Sequence, residues 1–195
     1  MGAEKLGNIA DVFSGQIMSR VSAEKLGDVE PVGEINVIVP KAITSEGTIL
    51  KEELTTEKLA AYPDARRITK EGDIIIKLST PFDSATITRD FTDCLVPSFC
   101  AIIRPFSERY DKDYLQAFLN SELCKEQLRA MVSGAVMTIL SVGKLKEVEI
   151  PYASMEVQRA IGTRYRETQE KIQIFKEIIS LEKKRNDAVF FEMVD

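Results

Sequence analysis

Arg66 and Arg67 stand side by side with Lys70 three residues on, the densest basic cluster in the first 151 residues. A guanidinium is a planar fork of N–H donors, matched to phosphate oxygens or to the edge of a guanine. Asp64 and Glu71 flank the cluster, so ion pairing within the chain is the competing use of the same charges. Elsewhere the residue types that carry chemistry are scarce. The 195 residues contain no histidine, which removes Ser-His and Cys-His nucleophile systems and most transition-metal sites. No glycine-rich phosphate loop or dinucleotide fingerprint occurs. Cys94, Cys100 and Cys124 are odd in number and follow no metal spacing, so they read as buried, reduced thiols of a cytoplasmic protein. Binding, not catalysis, is the chemistry these residues offer.

The elements that must position such a cluster divide the chain in two. A mixed α+β domain is expected over 1–151 and a long helix over 152–195. From Glu156 to Val194 there is no proline and only one glycine, Gly162. An uninterrupted helix there would reach ~55–60 Å, more than a domain of this size needs to cover its core. Its positions 161, 165, 168, 172, 175, 179, 182, 186, 189 and 193 alternate steps of four and three and are mostly apolar. That spacing is a coiled-coil seam, with Asn186 as a register-setting polar residue, and Ile174, Ile178 and Leu181 widen it. One helix cannot bury two such rows without a partner.

Charge follows the same division. The net charge is −5, and the segment from Tyr152 onward balances 8 basic against 8 acidic residues, so the whole excess lies in the first 151. A stand-alone nucleic-acid binder of that sign is disfavoured, and any such contact must come from a local cluster. No apolar run approaches the ~18 residues of a membrane span, and the N-terminal MGAEKLGN is too polar for a signal peptide. Leu6 stands where myristoylation of Gly2 would need Ser or Thr.

Along the domain, LGNIADV leads into a turn at Ser14-Gly15, and INVIV (35–39), closed by Pro40, reads as a strand. Lys41 to Lys70 reads as loops with one or two helical turns around Glu52 to Ala61. Gly72-Asp73 introduces the strand IIIKLS, and shorter strands are expected at 85–88, 94–96 and 98–103, the last stopped by Pro105. Asp113 opens an amphipathic helix carrying Tyr114, Leu115, Phe118, Leu119, Leu123 and Leu128, ended by Ser133-Gly134. LKEVEIP (145–151) reads as a final strand. The pentapeptide AEKLG occurs at 3–7 and 23–27 without matching surroundings, so no repeat is inferred.

The motifs KLGNIADVFSG, EGDIIIKLS, SFCAIIRP, DKDYLQAFLNSE and SGAVMTILSVGKLKEVEIP, followed by the long helix, stand in a definite order. Taken together they resemble one target-recognition domain and its helix from the DNA-specificity (S) subunit of Type I restriction-modification enzymes, over essentially the whole chain. Members usually hold two such units in tandem, their helices packed antiparallel as a ruler between two DNA half-sites. This chain holds one, and so resembles a half-length subunit that a homodimer would complete. Such a dimer has a two-fold axis and would read an inverted repeat with a spacer. One departure is the turn Gly134 to Ile139, which is more apolar than the family's G-[ST]-x-x-x-x-I form.

The resemblance implies a non-catalytic chain that binds double-stranded DNA and docks on a modification (methyltransferase) subunit. That partner would bring S-adenosylmethionine, a restriction subunit would join the assembly, and no cofactor is expected in this chain. DNA-facing candidates are Ser14, Gln16, Ser19 and Arg20 after the first glycine turn, then Arg66, Arg67 and Lys70. Lys77, Ser79 and Thr80 at a strand end, Arg89, and Ser133 and Thr138 complete the set. Dimerisation is expected through Ile161, Tyr165, Ile172, Phe175, Ile179 and Val189. Plainer uses compete: exposed loops, local ion pairs, and for Lys144 and Lys146 a solvated strand edge. For Tyr62 and Tyr110, packing competes with base stacking. The rival for the whole chain is a truncated specificity fragment that pairs through its helix but reads no DNA. An enzyme is set aside by the missing histidine and the missing Asn-Pro-Pro-aromatic motif of a methyltransferase.

Overall fold

The computed structural model describes residues 2–27, 29–132 and 139–194. Ser133 and Thr138 lie outside the described residues. A four-stranded antiparallel sheet in the order β2-β7-β5-β6 forms the centre, from β2 (Ala10–Ser14), β7 (Cys100–Pro105), β5 (Ile74–Lys77) and β6 (Ser84–Thr86). The β-branched runs IIIK and AII make its middle strands, and their alternation serves two cores. Ile74, Ile76, Ala101 and Ile103 face helices α2 (Lys112–Leu119) and α3 (Glu122–Val132), while Ile75 and Ile102 face Ile38, Ile43 and Ile87 on the other side. A hairpin of β3 (Gly33–Val37) and β4 (Thr55–Leu59), with the short α1 (Ala23–Leu26), adds a third small core around Val21, Val37, Leu59 and Leu95. The N-terminal β1 (Ala3–Lys5) pairs with β8 (Glu149–Pro151), which follows α4 (Val142–Lys146). From there the chain enters α5 (Met155–Val194), 40 residues and hence ~60 Å long.

Five sequence expectations are corrected. The helical turn near Glu52 is confined to 51–53, and Thr55–Leu59 is a strand because Thr55 and Thr56 pair with Val37 and Asn36. Residues 94–96 form no strand of their own; Leu95 bridges Val37 and Ile68 singly. The helix expected from Asp113 is two, capped at Asp111 and broken after Leu119, where the Asn120 side chain turns to bond Ser84 through both N–H and C=O. That break shifts the helical phase, which is why Leu123 is exposed. The strand expected from Leu145 begins only at Glu149, since Ser141 caps the turn Val142–Lys146. The strand β7 also runs through Pro105, which pairs with Ala10.

Helix α5 is seated on α2 by a buried polar joint. Gln158 is fully buried; its Oε1 accepts from the Asp111 amide at 2.8 Å, and its Nε2 donates to the carbonyls of Arg109 and Ala153, each at 2.9 Å. Two links follow along the helix: Asn120 Nδ2 donates to the Tyr165 hydroxyl at 2.8 Å, and Arg166 pairs with Asp113 at 2.6 Å. The last is Lys176, whose Nζ meets Glu46 at 2.8 Å. That hydrogen-bonded ammonium holds the Glu46 carboxyl down from 4.5 to about 2. The folded chain therefore releases this proton more readily than the unfolded one. The strut stabilises above about pH 4.5 and is lost as pH falls through about 2. An NMR titration of the Glu46 carboxyl should give a midpoint near 2 that returns to the ordinary range in Lys176→Ala. A midpoint indifferent to that substitution would remove the strut.

Candidate nucleic-acid interface

Register brings several candidate loops to one end of the central sheet. Ser14 pairs with Ala101 and Lys77 with Cys100, so β2 and β5 both leave the sheet where β7 enters it. The turns that follow are tied to the same short stretch. Gly15 donates to the Cys100 carbonyl at 3.0 Å, Gln16 to Val96 at 2.7 Å, and Leu78 to Phe99 at 2.9 Å. A Cβ on Gly15 would lie 2.1 Å from the Pro97 carbonyl oxygen, so only glycine permits this approach.

Arg67 is built into this rim. Its Nη1 donates to Gln16 Oε1 at 3.0 Å and its Nε to the Ser14 carbonyl at 3.3 Å. Gln16 is itself buried, so it holds the guanidinium and does not face solvent. Arg66 forks onto Asp64, with Nη2 to Oδ2 at 2.6 Å, and lies over the Phe13 ring at 5.9 Å. The Arg66 guanidinium holds the Asp64 carboxyl down to about 2. Ser14, Arg66, Arg67 and Lys146 line a cleft of about 330 Å³. Ordered guanidiniums beside exposed loop hydroxyls are suited to a phosphate or a base edge.

The other candidates fall elsewhere. Ser79 and Thr80 are exposed at the same end of the sheet, beside the point where Leu140 donates to the Leu78 carbonyl. Ser19 and Arg20 lie exposed in the turn 18–20. Lys70 and Arg89 lie toward the opposite end, where Arg89 meets Glu71 at 3.1 Å. Lys77 is corrected as a surface contact. It lies at the rim, but its side chain turns inward to Asp83 at 3.0 Å, because that buried carboxylate needs a counter-charge. Tyr110 is buried with its ring edge-on to Tyr152, whereas Tyr62 is exposed and donates to the Val32 carbonyl at 3.4 Å.

Two rim residues escaped the sequence reading. Lys146, expected at a strand edge, lines the cleft, and Phe99 stands 60% exposed between the Gln16 and Leu78 turns. Both faces of β7 are buried, so alternation along the strand gave no sign that Phe99 is exposed, and nothing local placed it between two loops.

On the long helix, Ile161, Phe175, Ile179 and Val189 are exposed and Ile172 is half-buried. Tyr165 is turned to the chain's own domain, bonded by Asn120. Cys94, Cys100 and Cys124 are free and buried, and burial pushes the thiols of Cys100 and Cys124 up to about 12. Among the described residues, no cluster of acidic residues and cysteines could hold a metal ion. No helix there is long and apolar enough to cross a membrane.

This architecture is the fold of Type I restriction-modification S subunits. It superposes on the HsdS subunit from Thermoanaerobacter tengcongensis with a TM-score of 0.68 at 16% identity, covering 96% of this chain and 47% of that one. A chain from a structure describing complex assembly and conformational transition of the type I R-M system gives 0.68 at 18%, covering 94% and 45%. The S subunit from M. genitalium gives 0.60 at 14%, covering 94% and 42%. The chain thus spans less than half the length of these structures. No protein-family model matches the chain, and no curated protein sequence matches it.

Proposed function

We propose that the chain is a half-length DNA-specificity subunit of a Type I restriction-modification system. Residues 1–151 read one half-site, and 152–195 pair with a second copy and set the spacing between half-sites. The observation that supports this most is the likeness to S subunits over 94–96% of the chain, long helix included. The rim at the sheet end, with Arg67 held by Gln16, supplies the charge such a surface needs despite the net −5. In this reading the chain performs no chemistry. It positions modification subunits, which carry S-adenosylmethionine, and a restriction subunit joins the same assembly.

The test is methylome sequencing of cells expressing this chain with its methyltransferase partner, against cells lacking the chain. A split, inverted-repeat motif methylated only with the chain present is the expected result. No chain-dependent methylation, from a methyltransferase shown to be active with an intact specificity subunit, would leave the silent fragment as the reading. In the assembled enzyme, alanine at both Arg66 and Arg67 should weaken DNA binding by about 1–3 kcal/mol and flatten its salt dependence. Unchanged affinity across a salt titration would take both arginines off the interface.

A further inference from the structure

Phe99 is 60% exposed at the sheet end that also carries Ser14, Arg67, Ser79 and Thr80. It stands in the turn Pro97–Cys100, which the Cys100 amide closes by donating to the Pro97 carbonyl at 2.9 Å. The turns on either side pin this one in place. The Ser98 amide donates to the Gln16 carbonyl at 2.8 Å, and the Leu78 amide donates to the Phe99 carbonyl at 2.9 Å. These are main-chain bonds that would form equally with serine at this position, so folding does not call for a phenyl ring. A scattered exposed apolar residue needs no explanation in itself. Phe99 differs by its place, between two turns that bring hydroxyls and the guanidinium held by Gln16 to the same rim.

We infer that Phe99 reads a thymine, its ring resting on the 5-methyl group in the major groove while Arg67 and the rim hydroxyls meet phosphates or neighbouring base edges. The inference rests on the DNA-reading role of the proposed function and assigns one base of the half-site to one residue. The thymine methyl is the apolar feature of the major-groove edge, and phenylalanine is among the side chains that pack on it. A bare aromatic can instead act as a wedge between stacked base pairs, which requires both ring faces to be free. Phe99 sits on a short turn pinned between two others and is already partly covered, which suits it to lie on a base edge and not to enter the stack. Ile17, 42% exposed next to Gln16, is the rival for the same methyl. Phe99 is the better placed of the two, because the exposed hydroxyls of Ser14 on one side and of Ser79 and Thr80 on the other flank it.

Deoxyuridine tests this, since it is thymidine without the methyl and keeps every hydrogen bond of the base. With the methylated motif known, each thymine of one half-site, on either strand, is replaced singly by deoxyuridine, and binding by the assembled enzyme is measured. At one position the parent should bind about fourfold more weakly, the worth of one buried methyl. At that position Phe99→Ala should bind the thymine and uracil duplexes alike, Phe99→Leu should keep part of the difference, and Ile17→Ser should keep all of it. The ring is exposed and its turn is held by backbone, so Phe99→Ala should melt with the parent and retain the modification subunit. Three results would overturn the assignment while leaving the DNA-reading proposal intact. They are a half-site without an A·T pair, no thymine whose methyl matters, and a methyl effect that survives Phe99→Ala or vanishes in Ile17→Ser. Loss of the modification subunit from Phe99→Ala would overturn it too, placing the ring at a protein interface. An assembled enzyme that gains no site-specific binding from this chain would overturn the reading on which the assignment rests.

Discussion

Replacing Asp83 with alanine should lower the unfolding free energy by about 3–5 kcal/mol, the cost of leaving buried charges without their partner. The Asp83 side chain is 3% exposed and holds two ammonium groups, Lys77 from β5 and Lys125 from α3, each at 3.0 Å. Both lysines are themselves largely buried, so solvent screens the trio weakly. For a chain of this length, at about 2–4 °C per kcal/mol, the melting temperature should fall by about 6–20 °C. Asp83→Asn keeps the shape and part of the hydrogen bonding, and should lose less. Converting all three residues to apolar side chains of similar size should recover most of the loss, because an ion cluster of this kind is expensive mainly when it is incomplete. If Asp83→Ala cost less than about 1 kcal/mol, in the range of a solvated pair, Lys77 would be free to swing out. It would then return to the candidate contacts.

The pair also shows what a sequence conceals. Lys77 ends a polar-capped strand and reads as a surface cation, and its counter-ion six residues on is separated from it by a proline turn. The third member lies 42 residues beyond Asp83. The same distance problem hides Gln16, whose partner Arg67 is 51 residues away. Runs of β-branched residues were legible because their preference is local: INVIV, IIIK and CAIIRP all form strands near where the pattern puts them. The long helix was legible for the same reason. Where local preference is neutral, neighbours decide. The two copies of AEKLG make the point. Residues 3–5 form a strand because β8 lies alongside, while 23–26 form a helical turn because Ser22 caps it at the Lys25 amide. The strand Thr55–Leu59 needed Gly33–Val37 as a template in the same way.

Gly162→Val should loosen the long helix from the domain, and Gly162→Ala should do so more mildly. A Cβ at this position would stand 2.8 Å from the Asp113 Cβ, 2.9 Å from the Tyr114 amide nitrogen and 3.0 Å from Asp111 Oδ1. The obstacles are the first turn of α2 and its capping carboxylate, which cannot retreat without surrendering the cap bonds to Asp113 and Tyr114. Two effects oppose each other here. Alanine should raise intrinsic helix stability by about 0.8–1.0 kcal/mol, and the forced overlap should cost about 1–3 kcal/mol. The clash should win in the protein, and lose in a peptide of residues 155–194, where α2 is missing. Opposite signs are therefore expected: greater peptide helicity by circular dichroism, but a lower melting temperature for the full chain. The valine variant adds a second methyl pair at the contact and should also strain the Gln158 joint one turn earlier. If α5 is a ruler, tilting it at this root moves the two reading domains apart by a lever of some tens of ångströms. Chain-dependent methylation should then fall further than the loss of folded protein explains. A Gly162→Val chain that melts and methylates like the parent would show that α2 yields here, and that the helix angle is not fixed by this contact.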